Sequence, residues 1–225
     1  MSSTGRASER IELDQYWTQR WCVHRLLEAY ILPPGLWLEP CAGTGAIIRA
    51  VSEVRSDVTW HANEIDPSYL PGLQALPAVA TLSDRDAREL TLGARPVVSI
   101  SNPPFTPSLE ILAQMLPLAE TVIFLQRLNW AAGPRRELFR SIKPSVYVLP
   151  DRPSFVDMYD EETPSVLKAQ TDSIEYAWFV FDGRGAFGIL ADTPAEVRRA
   201  EIEEGRANGT RPKKMSKPKR QQEAA

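Results

Sequence analysis

Short apolar runs rich in Val, Ile, Leu and Trp recur along the chain, and polar stretches with helical spacing lie between most of them. Runs of four to six such residues bounded by Gly, Pro, Asn and Asp predict strands. The pattern places them at Leu36–Glu39, Val58–Asn63, Val79–Leu82, Val97–Ser101, Thr121–Leu125, Ser145–Leu149 and Tyr176–Phe181. Helices are predicted over about 17–30, 44–54, 67–76, 107–119 and 134–142. In the fourth of these, Thr106 is the expected N-cap and Pro107 the first helical residue. This alternation predicts a doubly wound α/β fold, with seven strands in a mainly parallel sheet and helices on both faces.

The carboxyl-terminal part breaks the alternation. Thr193-Pro194-Ala195-Glu196 has the spacing of a capping box and Gly205 that of a helix stop, so one short charged helix is expected over 191–205. One α/β domain is expected over 1–190. Within it the Pro-rich, acidic stretch 150–175 is an excursion between the last two strands and a candidate for target recognition. Residues 206–225 form a basic tail.

At 225 residues the chain is long enough for one full core, and 43% hydrophobic with 24% charged residues is ordinary for a globular domain. No run approaches the ~20 apolar residues that a membrane helix needs. The polar opening MSSTGRASERIELD lacks a signal-peptide core. Cys22 and Cys41 are the only cysteines, which excludes a disulfide framework and a four-thiolate zinc site. These features fit a reduced, cytoplasmic protein.

Charge is divided unevenly. Six positive charges lie in 211–220 (RPKKMSKPKR), Lys213 and Lys214 among them. With a total of −3, +6 in that segment and −1 at Glu223, residues 1–210 are left with −8. A basic tail on an acidic body suits nucleic acid through counterion release, and equally suits a solvated solubility tail.

Two motifs carry candidate chemistry. The first strand runs from Glu39 into Pro40-Cys41-Ala42-Gly43-Thr44-Gly45-Ala46, a glycine turn between strand and helix of the kind that brings ligands close to backbone. Glu64 closes the second strand, 21 positions after Gly43. An acid there can accept from both hydroxyls of a ribose, which suits a nicotinamide dinucleotide or S-adenosylmethionine. Ile48 stands where a dinucleotide fingerprint has its third glycine, which favours S-adenosylmethionine.

The second motif is Asn102-Pro103-Pro104-Phe105, at the carboxyl end of the fourth strand. An Asn-Pro-Pro-aromatic string arises by chance in only about two per thousand chains of this length. The exocyclic amine of adenine is a poor nucleophile because its lone pair is delocalised into the ring. Asn102 through its side-chain oxygen and Pro103 through its carbonyl can accept the two amine hydrogens and draw the nitrogen toward sp³. The prolines, Pro104 included, stiffen the loop. Phe105 offers a face for a flipped base, worth roughly 1–3 kcal/mol.

Together these motifs resemble the amino-directed DNA methyltransferases that form N6-methyladenine. The glycine loop precedes Asn-Pro-Pro-Phe, as in their gamma arrangement. Arg152-Pro153-Ser154-Phe155 and Glu175-Tyr176-Ala177-Trp178-Phe179 are similar to segments of the small phage-encoded members. The resemblance spans about residues 12–183. It implies a Rossmann-like class I methyltransferase fold, S-adenosylmethionine as cofactor and double-stranded DNA as substrate, with no metal, in a monomer or homodimer.

The resemblance also implies roles for particular residues. The cofactor would meet Glu39, Pro40, Cys41, Ala42, Gly43, Gly45, Glu64, Ile65 and Asn102. Asp86 with Ala87 would read its adenine, Asp84 being the rival. Tyr16 and Thr18, in Asp14-Gln15-Tyr16-Trp17-Thr18-Gln19, would lie in the segment that closes over its methionine end. This chain has Thr18-Gln19 where the family usually has Thr-Pro. DNA contacts fall to Arg127, Arg135, Arg136, Arg152, Phe155, Lys213 and Lys214. His24, His61 and Cys41 read as packing residues, and Trp17 with Trp21 as a helix face or part of the cofactor lid. RNA bases, protein glutamine amides and a non-catalytic binding role remain the alternatives, because each substrate presents a planar conjugated nitrogen.

Overall fold

A computed structural model describes residues 18–153 and 174–207. Eight strands form one sheet: β1 (Gly35–Glu39), β2 (Val58–Asn63), β3 (Val79–Ser83), β4 (Val98–Ser101), β5 (Thr121–Arg127), β6 (Ser145–Val148), β7 (Tyr176–Phe181) and β8 (Phe187–Ile189). Their spatial order is β3-β2-β1-β4-β5-β7-β6-β8. β1 to β5 are parallel, β7 runs antiparallel to both β5 and β6, and β8 is parallel to β6. The helices are α1 (Arg20–Ala29), α2 (Ala46–Ser52), α3 (Leu70–Gln74), α4 (Ser108–Leu118), α5 (Arg136–Ile142) and α6 (Ala195–Ala207).

Strand residues alternate between two cores, as the two-residue period requires. Trp37, Trp60, Ile123, Leu125, Trp178 and Val180 join one core with α1 and α2, through Trp21, Leu26, Ile47 and Val51. Leu38, Phe124, Phe179 and Phe181 join the other with α4 and α5, through Ile111, Met115 and Phe139. All four residues of β4 and all six of β7 are buried. A strand covered on both faces reads as a continuous apolar run, and β7 is one.

Several boundaries depart from expectation. β8 is an eighth strand that the pattern missed. It is three residues long, contains Gly188 and exposes Phe187 and Ile189, so it has no alternation to detect. α4 begins at Ser108 with Pro107 at its N-cap and no side-chain cap, instead of being capped by Thr106. The Ser108 hydroxyl explains the shift: it donates to the Phe105 carbonyl (2.9 Å) and accepts from Trp130 Nε1 (3.0 Å), which fixes the turn from within the buried first residue of the helix.

The capping box at Thr193 does not form. Its hydroxyl is buried with no hydrogen-bond partner, while Arg198 Nη1 donates to its carbonyl (2.5 Å). α6 continues two residues past Gly205, since a glycine ends a helix only where the backbone turns left-handed. α1, in turn, is capped from afar. Gln19 supplies no side-chain cap. Instead the backbone N–H groups of Arg20 and Trp21 donate to the Glu201 carboxylate on α6, and Arg20 pairs with Glu204 (3.0 Å). A carboxylate satisfies orphan donors and meets the positive end of the helix dipole.

Candidate active site

The carboxyl ends of β1 to β5 lie on one edge of the sheet. β1 is flanked by β2 and β4, so the chain order reverses at β1 and opens a crevice there between the loops after β1 and β4. Both sequence motifs therefore face one crevice.

The loop after β1 is shaped by its glycines. Gly43 (φ 51°) and Gly45 (φ 77°) adopt left-handed conformations. A Cβ on Gly45 would stand 2.8 Å from Leu76 Cδ1 and 3.0 Å from Leu73 Cδ2, so this position also needs the small residue for packing. A Cβ on Gly43 would meet nothing within 4 Å, so the loop presents open backbone there. Gly45 N–H closes the turn on the Ala42 carbonyl (2.7 Å).

Two acids back this loop. Glu64 is 7% exposed and accepts from Gly43 N–H (2.6 Å) with Oε2 and from Asp66 N–H (2.9 Å) with Oε1. Each oxygen keeps a second lone pair, so the bonds orient the carboxylate without exhausting it. Burial raises the Glu64 pKa above the usual carboxylate value, against these backbone donors. Glu39 is buried too. Desolvation, then the like charge of Glu64, hold its pKa well above normal, opposed by the Ile48 backbone and Arg49. Burial and the same two carboxylates push the Cys41 thiol far up, so this half-buried cysteine stays protonated.

The loop after β3 lies on the β2 side of the glycine loop, joined to it through Asn63. Asp86 accepts from Arg88 N–H (2.9 Å) and pairs with the Arg88 guanidinium (2.5 Å), which lowers its pKa. Ala87 is buried beside it, whereas Asp84 is exposed and Ile65 is 53% exposed.

On the β4 side, Asn102 follows the buried Ser101 directly. The Pro103 carbonyl accepts from Gln126 Nε2 (3.3 Å), and Gln126 is itself 1% exposed near the end of β5. Phe105 lies against Tyr176 with ring centroids 6.2 Å apart. The Arg127 guanidinium stands 4.5 Å from the Phe105 ring centroid, and its Nε donates to Tyr176 Oη (3.3 Å). A cation over an aromatic face contributes about 0.5–1 kcal/mol at an exposed site.

The structure thus brings together Glu39, the 40–45 loop, Glu64, Asp86 and Asn102–Phe105, and adds Arg127 to them. The other basic residues have partners of their own. Arg135 and Arg136 are exposed at the start of α5, where Arg135 donates weakly to the Trp130 carbonyl (3.5 Å) and Arg136 lies 3.7 Å from Glu137. Arg152 is paired with Glu175 (2.5 Å). Thr18 is buried just before α1. Tyr16, Trp17, Phe155, Lys213 and Lys214 lie outside the described residues. Trp21 belongs to the core, and His24 hydrogen-bonds the Ala50 carbonyl (2.9 Å). Among the described residues no group of three or more His, Cys, Asp or Glu could hold a metal, and no helix is long and apolar enough to cross a membrane.

No site role follows from the sequence for Gln126, Tyr176 or Asn63, although Tyr176 lies in a segment of the resemblance. A lone Gln in a strand carries no motif, and only the register Arg127↔Tyr176 between β5 and β7 places Tyr176 at the site.

No family model matches the chain, and no curated protein matches it in sequence. Solved structures do. A protein from Pyrococcus horikoshii described as a proposed RNA methyltransferase is 16% identical, over 80% of this chain and 93% of that one, with a TM-score of 0.53. The 23S rRNA methyltransferase ErmE is 16% identical, over 84% and 76%, with a TM-score of 0.51. At such identities the likeness is one of fold. The chain has the Rossmann-like fold of class I methyltransferases.

Proposed function

We propose that this protein is an S-adenosylmethionine-dependent methyltransferase that methylates the N6 amine of adenine in DNA. The observation that carries the reading is Asn102-Pro103-Pro104-Phe105 at the end of β4, facing the glycine loop across the crevice.

The residues present fit the cofactor. Gly43 leaves the approach to the loop open, and Glu64 presents an oriented carboxylate to a ribose. Glu39 and Glu64 together favour a cationic ligand, because a positive charge nearby offsets the cost of ionising two buried acids. When bound, S-adenosylmethionine supplies an electrophilic methyl group on a sulfonium. The chain's own part is to prepare the amine. Asn102 Oδ1 and the Pro103 carbonyl each accept one amine N–H. Gln126 holds the carbonyl by one lone pair and leaves the other for the substrate. The amine nitrogen thereby gains sp³ character and its lone pair is freed for attack. The proton then released passes to an acceptor at this loop or to solvent.

A base stacking on the face of Phe105 beneath Arg127 displaces the guanidinium, which can then pair with a backbone phosphate. Extruding a base from duplex DNA costs a few kcal/mol, offset by stacking and phosphate contacts. RNA adenine is the second reading, supported by the shared fold with the two proteins described as RNA methyltransferases. Incubation with methyl-labelled S-adenosylmethionine and DNA, RNA or protein in parallel tests both. Labelled N6-methyladenosine from RNA alone would favour the second reading, and label in protein alone would reject both.

A further inference from the structure

We infer that Asn63 is the positioning residue of the cofactor pocket, locking its two walls at a fixed separation. This rests on the cofactor reading above and adds to it a residue that no motif marks.

Asn63 is the last residue of β2, is 1% exposed and uses its whole hydrogen-bonding capacity. Its Nδ2 donates to the Pro40 carbonyl (2.9 Å) and to the Arg85 carbonyl (2.8 Å). Its Oδ1 accepts from the Ser83 hydroxyl (2.7 Å) and from Arg85 N–H (3.0 Å). An amide side chain has two donor hydrogens and two acceptor lone pairs, and all four are matched. Its backbone carbonyl also accepts from Ala42 N–H (2.9 Å). Asn63 therefore grips the glycine loop on both sides of Cys41 and pairs with both backbone polar groups of Arg85, the residue before Asp86.

The consequence is geometric. Glu64 follows Asn63 directly and faces Gly43, while Asp86 and Ala87 follow Arg85. The groups proposed for the ribose and for the adenine are thus set by one side chain between them. An apolar replacement of similar volume would orphan two carbonyls, one N–H and one hydroxyl at the pocket floor. The network also reaches outward. Ser83 gives its proton to Asn63, so it accepts from His61 Nε2 (2.8 Å), leaving His61 Nδ1 to accept from Thr81 (2.7 Å).

The test compares wild type with Asn63→Asp, Asn63→Leu and Ser83→Ala. Equilibrium binding of S-adenosylmethionine and of S-adenosylhomocysteine is read by calorimetry, beside hydrogen exchange at Ala42 and Arg85. Both Asn63 variants should weaken both ligands about tenfold or more and speed exchange at the two amides. Ser83→Ala, which leaves three of the four bonds, should cost roughly threefold or less. At saturating cofactor kcat should stay within about threefold of wild type, so that the loss falls on binding. Phe139→Leu, packed against Trp130, Phe179 and Phe181, controls for lost stability and should leave cofactor affinity unchanged. Folded Asn63 variants with wild-type affinity would overturn the inference alone. A wild type that binds neither ligand would overturn the cofactor reading, and the inference with it.

Discussion

The two loops that face each other across the crevice are both anchored by buried polar side chains, but they are covered differently. The glycine loop is fixed by backbone and buried polar groups: Gly43 by Glu64, and Pro40 and Ala42 by Asn63. The Asn-Pro-Pro-Phe loop is held by side chains reaching in from β5, β7 and α4, namely Gln126, Tyr176 and Ser108, with Arg127 over its aromatic ring. On the proposed cofactor side these buried bonds fix the loop and leave its backbone open at Gly43. On the other side the Phe105 ring, the proposed platform for a base, carries the half-buried Arg127 cation, which a base would have to displace. A methyl donor that is always the same small molecule suits a fixed pocket. A base extruded from a polymer suits a platform that is covered until it arrives.

The contrast can be broken by substitution, and the largest effect should come from the substrate loop. Asn102→Ala should lower kcat by about 10²-fold or more and leave cofactor affinity nearly unchanged, because it removes an acceptor used in the transition state. Glu64→Ala should do the reverse, weakening S-adenosylmethionine by roughly tenfold or more, as expected for a lost charged hydrogen-bond partner. Steady-state kinetics together with calorimetry separate the two. If both variants lowered kcat and affinity together, the two sides would not be independent.

Gln126→Leu sharpens the division. Freed of its donor, the Pro103 carbonyl should aim less well, and kcat should fall roughly 3–10-fold with unchanged cofactor binding, the worth of one neutral hydrogen bond. Arg127→Ala should act on DNA instead. If the displaced guanidinium takes up a phosphate, the slope of log Kd against log salt should flatten by about 1. An unchanged slope would leave Arg127 only its contact with Phe105.

The smallest effect is a pH dependence. Glu39 and Glu64 hold their protons more tightly in the folded protein than in the unfolded chain. Their contribution to stability is therefore present at low pH and is lost as pH rises from the usual carboxylate value through the raised ones. Binding of a cation favours the ionised acids, so it should release protons in that window and tighten as pH rises. Calorimetry of S-adenosylmethionine in buffers of different ionisation enthalpy measures the release. S-adenosylhomocysteine, which lacks the sulfonium charge, should release fewer protons.

The sequence made the first seven strands and both motifs legible because each strand is largely apolar and each motif is contiguous. The Gly43–Glu64 spacing implied their proximity, and Gly43 N–H does meet the Glu64 carboxylate. What stayed hidden depends on register and distance. Tyr176 and Gln126 reach the site only because β7 inserts antiparallel between β5 and β6. Glu201 caps α1 from 181 positions away, and no local pattern announces that. Asn63 reads only as the end of a strand, and its four side-chain bonds reach Pro40, Ser83 and Arg85, on the loop after β1, on β3 and on the loop after β3. The expected cap at Thr106 failed because its hydroxyl is on the exposed side chain, a weaker anchor than the buried Ser108, joined to Phe105 and Trp130.

The most direct test of the account is transfer of labelled methyl groups to plasmid DNA from a host lacking adenine methylation, with wild type and Asn102→Ala compared at saturating S-adenosylmethionine. After digestion to nucleosides, mass spectrometry should find labelled N6-methyladenine with the wild type and about 10²-fold less with the variant, both binding cofactor equally. Label in another base, or equal labelling by the two proteins, would contradict the assignment of Asn102-Pro103-Pro104-Phe105 as the site of adenine methylation.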